Sequence, residues 1–240
     1  MLVTESDHTM TPNDSIPSDT WVVIPAYKEG ARLAKTLQKV CGVFANIVVV
    51  NDGSPDGTGE TAKQFPVWVL SHVINRGQGA ALQTGIRFAV EQGAQRIVTF
   101  DGDGQHDVND VAGMIERLDQ GDVDIVLGSR FLGATEGMPK SRWLILKLGV
   151  LFTRVFSRIQ VTDTHNGLRV FSRKAAQKIR ITMDRMEHAS EILDQIRYHN
   201  LRFCEYPVTI RYSAETMEKG QSSLNGLKIV SKLLLSRVIR

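Results

Sequence analysis

The front half of the chain alternates short, nearly continuous apolar runs with amphipathic stretches, and that alternation leaves few folds open. The apolar runs fall at residues 21–25, 47–51, 67–70, 96–100 and 124–127, with helix-like stretches starting at Glu29, Thr58, Gly77 and Val108. Strands that are apolar on both faces, separated by helices, predict a parallel sheet covered on both sides. In sheets of that kind ligands gather beyond the carboxyl ends of the strands. The rule selects residues 25–29, 51–54 and 101–106 as the working edge.

After Gly128 the pattern changes. Residues 142–159 read as a helix in which Trp143, Leu144, Leu146, Leu151, Val155 and Ile159 alternate with Arg142, Lys147, Arg154 and Arg158. A second basic amphipathic segment spans 227–240, and short strands are expected at 168–171 and 202–211. At 240 residues the chain suits a single α/β domain over residues 20–240. Residues 1–19 are polar, carry Pro12 and Pro17, and read as a disordered tail without the apolar core of a signal peptide. No apolar run is long enough for a spanning helix.

Charge is unevenly spread. The net charge is only +3, but residues 139–180 hold ten bases against the single acid Asp163, a segment charge of +9 that leaves −6 for the rest. A basic part beside an acidic part suggests that one handles phosphate or anionic lipid while the other holds a cation. Cys41 and Cys204 stand far apart, which excludes a disulfide framework or zinc spacing and fits a reducing compartment.

The strongest local signal is Phe100-Asp101-Gly102-Asp103-Gly104-Gln105-His106. Two carboxylates one residue apart, leaving a buried strand, can converge on one hard cation that keeps sites for a diphosphate. Gln105 offers a neutral oxygen, and glycines at 102 and 104 let the backbone turn closely. A plain Asp-Gly turn is the alternative. Asp52 in Asn51-Asp52-Gly53-Ser54 is either an acceptor for a base or ribose or the start of an Asx turn. Tyr27 can cover a base face, and Glu29 can meet ligand or simply favour the first turn of its helix. Asn75-Arg76-Gly77-Gln78-Gly79 opens a helix, but Leu82 stands at the third position of the dinucleotide fingerprint and no acid follows at the required distance. A Rossmann dehydrogenase is excluded, and close packing is the expected role of those glycines.

Taken in order, VIPAYKEG, VVNDGSPDGT, NRGQGAALQTGI, FDGDGQHD, GSRF, DTHNGLRVF and YPVTIRY resemble family-2 glycosyltransferases, and among them the dolichol-phosphate mannose synthase-like, polyprenyl-phosphate sugar transferases. The resemblance runs from about Trp21 to Leu227. It implies a GT-A fold, with a Rossmann-like, mostly parallel central sheet and helices on both faces. It places Pro25, Tyr27, Glu29 and Asp52 at the nucleoside and Asp101, Gly102 and Asp103 along the nucleotide sugar. Asp101, Asp103 and Gln105 would hold Mg²⁺ or Mn²⁺, Arg130 in GSRF would reach phosphate, and Asp163 would lie on the acceptor side, as positioner, loop organiser or base. Asn51 replaces the first Asp of many relatives, and Ser222-Ser223-Leu224 lacks the Lys of the mannose synthases, with Lys219 nearby. That weakens the case for GDP-mannose against a UDP-hexose. The processive Gln-x-x-Arg-Trp element is absent, so one sugar is expected per encounter.

The resulting expectation is an inverting, metal-dependent transfer from a nucleotide-diphospho-sugar to a polyprenyl or dolichyl phosphate, with Arg142, Lys147 and Lys219 gripping the acceptor phosphate. The enzyme would work at the cytoplasmic face of a membrane, held there peripherally by its basic segments or by a small membrane-anchor protein, and without nucleic acid. Those segments are alternatively ordinary core-facing helices. A transferase acting on a sugar hydroxyl in surface-polysaccharide synthesis and a non-catalytic nucleotide-sugar-binding subunit are the competing readings.

Overall fold

The computed structural model describes residues 16–156 and 159–212. Lys219, segment 227–240 and most of the 1–19 tail lie outside them. Of the tail, residues 16–19 are tied to the domain: Ile16 packs against the core, and Asp19 pairs with Arg96.

Strand β1 (Thr20–Ala26) is buried along its whole length, as a strand apolar on both faces must be. Around it follow α1 (Gly30–Cys41), β2 (Asn46–Asn51), α2 (Thr58–Ala62), β3 (Trp68–Ser71), α3 (Gln78–Glu91), β4 (Arg96–Thr99) and α4 (Asp110–Asp119). The chain continues through β5 (Ile125–Glu136), α5 (Lys140–Phe156), β6 (Arg169–Ser172), α6 (Arg173–Lys178), α7 (His188–Tyr198) and β7 (Phe203–Arg211). The sheet order is β3-β2-β1-β4-β6-β5-β7. Every pairing is parallel except those of β6, which runs against both β4 and β5.

Alternate residues of each strand feed two cores. Val22 and Ile24 join Leu33, Leu37, Met114 and Leu118 on one face, while Trp21 and Val23 join Leu82, Ile86, Ile192 and Ile196 on the other. The sheet grows from β1 to β2 and β3 on one side and then starts again at β4 on the other. The crevice where strand order reverses lies beyond the ends of β1 and β4, so topology brings the segments that carry Tyr27 and Asp101 to the same edge.

All seven strands were expected. The length of β5 was not: its first half is buried, its residues from Leu132 to Glu136 are exposed, and its pairing with β7 shifts register between Ser129 and Ala134. Past that irregularity the β5 residues are exposed, while Ile210 on the paired β7 stays in the core. The expected helix over 142–159 is present as α5, ending at Phe156. Of its apolar residues, Trp143, Leu144, Leu148 and Leu151 are exposed, so this stripe does not face the core.

Candidate active site

Asp101 leaves the end of β4 with about a quarter of its side chain exposed. Its Oδ1 accepts from Gln78 Nε2 at 2.8 Å, and its Oδ2 accepts from His106 Nε2 at 3.0 Å. Gly167 lies against the same carboxylate: a Cβ there would stand 2.1 Å from Oδ2. The loop containing Asp163 is therefore packed directly onto Asp101, and Thr99 Oγ1 anchors it by donating to the Gly167 carbonyl at 2.7 Å.

The two acids respond in opposite directions. Burial alone would raise the Asp101 carboxyl, but the His106 hydrogen bond and the nearby Arg169 and His188 outweigh it and hold the group below the usual carboxylate range. Asp103 is pushed up, first by burial and then by the charge of Asp101. Its only protein hydrogen bond among the described residues is the Gln105 N–H on Oδ1, at 3.0 Å. A cation fits such a donor set, because it relieves carboxylate repulsion with hard oxygen ligands. Among the described residues no group of three or more His, Cys, Asp or Glu is arranged to enclose an ion. An ion here would complete its shell from Gln105, substrate oxygens and water.

Asp52, at the end of β2, is a different kind of strand-end acid. It is 2% exposed. Its carboxylate receives His72 Nδ1 at 2.7 Å, Asn75 Nδ2 at 2.8 Å, and the backbone N–H groups of Arg76 and Gly77 at 3.0 and 2.6 Å. It occupies the position a bound anion would take just ahead of α3. The next amides of that helix, Gly79 and Ala80, donate to the Asp184 carbonyl. Gly77 adopts φ 114°, and a Cβ there would stand 2.3 Å from that carbonyl oxygen, which confirms close packing as the role of this glycine pair.

The remaining nucleoside candidates line the rim beyond β1. Pro25 is buried in the strand opposite Val50. Tyr27 is 39% exposed, with Lys28 Nζ 5.4 Å from its ring centre. Lys28 holds φ 55°, an unusual backbone for a non-glycine residue, and its N–H donates to Ser54 Oγ. Glu29 precedes α1, pairs with Arg32 at 2.7 Å, and has its N–H on Thr58 Oγ1. Gly102 tucks beneath β1, where a Cβ would stand 3.3 Å from the Pro25 carbonyl.

Arg130 and Asp163, expected to serve phosphate and acceptor separately, are partners of one another. Arg130 Nε and backbone N–H donate to Asp163 Oδ2 at 2.6 and 3.2 Å, and both side chains are buried. Asp163 Oδ1 accepts from the His165 N–H. Glu205 of β7 fixes this loop from below, taking the Thr162 N–H and hydroxyl and the Asp163 N–H. Arg130 Nη1 continues to the Tyr212 hydroxyl at 2.6 Å. On α5, the Arg142 guanidinium lies 5.0 Å over the Tyr212 ring, and Lys147 Nζ lies 3.9 Å over the Phe131 ring.

Sequence reasoning missed Gln78, His106, Arg169, His188 and Tyr212. Four of these stand inside or at the end of the recognised segments, where position was legible but partners were not. His188 sits outside every motif. Arg169 is 3% exposed, and its Nη1 finds no acceptor among the described residues. Burial pulls its pKa down to about 10 against the opposing charges of Asp101 and Asp163, so this one cation feels both acidic groups. Burial likewise drives the His188 imidazole down to about 4, with Arg169 adding to the effect.

Comparison with known proteins decides the family. Residues 21–180 match the model of Glycosyl transferase family 2. The chain belongs to that family. This family-2 glycosyltransferase is 30% identical to the UDP-N-acetylglucosamine–dolichyl-phosphate N-acetylglucosaminyltransferase of Methanococcus voltae, over 91% of the chain and 96% of that protein. It is 28% identical to the polyprenol monophosphomannose synthase of Mycolicibacterium smegmatis, over 88% of the chain and 82% of that enzyme. Its fold matches glucosyl-3-phosphoglycerate synthase from Mycobacterium tuberculosis, solved with Mn²⁺ and UDP-glucose, with a TM-score of 0.68 at 18% identity, covering 98% of this chain and 84% of that one. The fold is thus GT-A, and the chain is an enzyme that transfers sugars.

Proposed function

We propose that this glycosyltransferase moves one sugar, with inversion, from a nucleotide-diphospho-sugar to a polyprenyl or dolichyl phosphate. The observation that carries the reading is Asp103, a carboxylate raised by burial and by its neighbour Asp101 and left with one oxygen that no described protein group meets. Relatives named for polyprenyl and dolichyl phosphates supply the acceptor class. A divalent cation on Asp101 and Asp103, Mg²⁺ or Mn²⁺, would neutralise charge on the departing diphosphate.

The protein's own groups do the rest. Tyr27 offers its exposed ring to the base, with Glu29 at the same rim and Asp52 pinning the loop beneath. Gln78 and His106 orient Asp101, so that side chain is set before substrate arrives. Arg142 and Lys147 present cations on the rim helix for the acceptor phosphate, and Lys219 is assigned to the same task. Both Asp163 oxygens already accept hydrogen bonds from Arg130 and His165. That arrangement favours an acceptor that brings its own ionised oxygen over a hydroxyl that needs a free base. Arg130 acts here by holding Asp163, not by reaching phosphate itself.

The outward stripe of Trp143, Leu144, Leu148 and Leu151, flanked by Lys140, Lys147 and Arg154, suits docking on an anionic membrane surface from the cytoplasmic side. No described helix is long and apolar enough to cross a membrane. The test incubates enzyme with polyprenyl phosphate, Mn²⁺ and a panel of radiolabelled nucleotide sugars, followed by organic extraction. Label should enter the organic phase with one donor. Transfer only to water-soluble products would replace this reading by the sugar-hydroxyl one.

A further inference from the structure

Tyr212 touches two guanidinium groups on different elements: Arg142, which the proposed reaction assigns to the acceptor phosphate, and Arg130, which holds Asp163. Its hydroxyl takes the Arg130 Nη1 hydrogen bond at 2.6 Å, and through Arg130 it reaches Asp163 Oδ2. Its ring face carries the Arg142 guanidinium at 5.0 Å. The residue itself is held firmly. It is 8% exposed, and its N–H donates to the Glu136 carbonyl at the end of β5. The neighbouring Gly137 has φ 75°, and a Cβ there would stand 2.6 Å from the Tyr212 carbonyl oxygen, so the chain closes on Tyr212 where only glycine fits comfortably.

We propose that Tyr212 is a positioning residue that couples the cation gripping the acceptor anion, Arg142, to the orientation of Asp163. The inference rests on the acceptor assignment above. Physically, the hydroxyl and the ring do separable work. The hydroxyl completes the donor geometry of a buried guanidinium, which fixes the angle at which Arg130 holds Asp163. The aromatic face restrains Arg142 by a cation–π contact, so this side chain is ordered before an anion arrives. Either half can be removed while the other stays.

Two variants separate the halves. Tyr212→Phe keeps the ring and deletes the hydroxyl: kcat should fall about tenfold, the scale of one lost hydrogen bond to a charged group, with KM for acceptor unchanged. Tyr212→Leu also frees Arg142, so KM for acceptor should rise about threefold, the scale of an exposed cation–π contact. KM for the nucleotide sugar should stay constant in both. Adding Tyr212→Leu to Arg142→Ala should leave the acceptor KM where Arg142→Ala alone puts it, because the restrained cation is already gone.

A readout independent of the acceptor accompanies the kinetics. In ¹H–¹⁵N spectra the Arg130 Nε–H should be protected from solvent exchange in the wild type and exchange faster in Tyr212→Phe, while Arg142 changes only in Tyr212→Leu. Wild-type spectra in both variants, or equal effects on donor and acceptor KM, would overturn the role of Tyr212. Intact spectral coupling in an enzyme that ignores polyprenyl phosphate would instead overturn the acceptor assignment alone.

Discussion

Two strand ends of this enzyme carry the same local chemistry, an aspartate followed by glycine, and the fold uses them in opposite ways. Asp52 is enclosed by donors from His72, Asn75, Arg76 and Gly77, and both its oxygens are taken. Asp103 has one backbone donor and a like charge beside it. The first acid is a structural anion that closes the loop ahead of α3. The second retains an oxygen without a described donor and a like-charge repulsion that a cation, as proposed, would relieve. An acid that the protein has already satisfied organises a site, and one that it has left unsatisfied is what a ligand is for.

Exchanging the two fates should be impossible by single substitutions, and the largest expected effect is at Asp103. Asp103→Ala should lower turnover about 10³-fold while leaving the thermal midpoint unchanged or raised, since repulsion with Asp101 is removed. Loss of activity together with unfolding would erase the contrast. Asp52→Ala should show the reverse balance: buried donors lose their acceptor, and denaturant unfolding should report a loss of about 3 kcal/mol or more. A stable Asp52→Ala protein with weakened nucleotide binding would move Asp52 into direct ligand contact.

The Asp101 side of the comparison also reads out in acid. The folded His188 titrates at about 4 against 6.5 in the free side chain, because it is buried neutral. It therefore costs nothing above pH 6.5. As pH falls below that value the unfolded chain takes up the proton first, and stability drops by about 3 kcal/mol by pH 4. Carboxylates enter later: at Asp124 burial raises the pKa but is outweighed by the Arg202 and Lys174 contacts, which hold it at about 2, so its contribution fades only below about pH 4. Unfolding curves at pH 7 and pH 4.5 should differ accordingly, and His188→Gln should flatten the difference.

Gly167→Ala sharpens the comparison at its smallest scale. The added methyl would occupy the Asp101 carboxylate's place. Displacing that side chain should cost about 10²-fold in turnover, with a smaller loss of Mn²⁺ affinity in a direct titration. A fully active variant would mean that the 163–167 loop yields easily and does not position Asp101.

Much of this fold was legible because its signals are local. Apolar runs such as 47–50 have no other economical reading than a buried strand, and their alternation with helices fixes a parallel sheet. The rule that ligands sit beyond strand ends then selected Tyr27, Asp52, Asp101 and Asp103 as candidates without any contact information. Pairing was another matter. Arg130 and Asp163 are 33 residues apart, Tyr212 is 82 residues from Arg130, and no periodicity encodes which guanidinium meets which carboxylate. The same limit hid His188, whose depressed basicity arises from burial beside Arg169.

By itself the sequence determined the strand–helix order, the working edge of the sheet and the residue types gathered there, since these follow from hydrophobic period and turn chemistry within short windows. Tertiary structure alone decided which acids are satisfied by protein donors and which are left with an oxygen unmet by the described residues, and whether the apolar stripe of α5 turns inward or out. Both depend on long-range packing, where donors and apolar surfaces from distant segments either arrive at a side chain or leave it open.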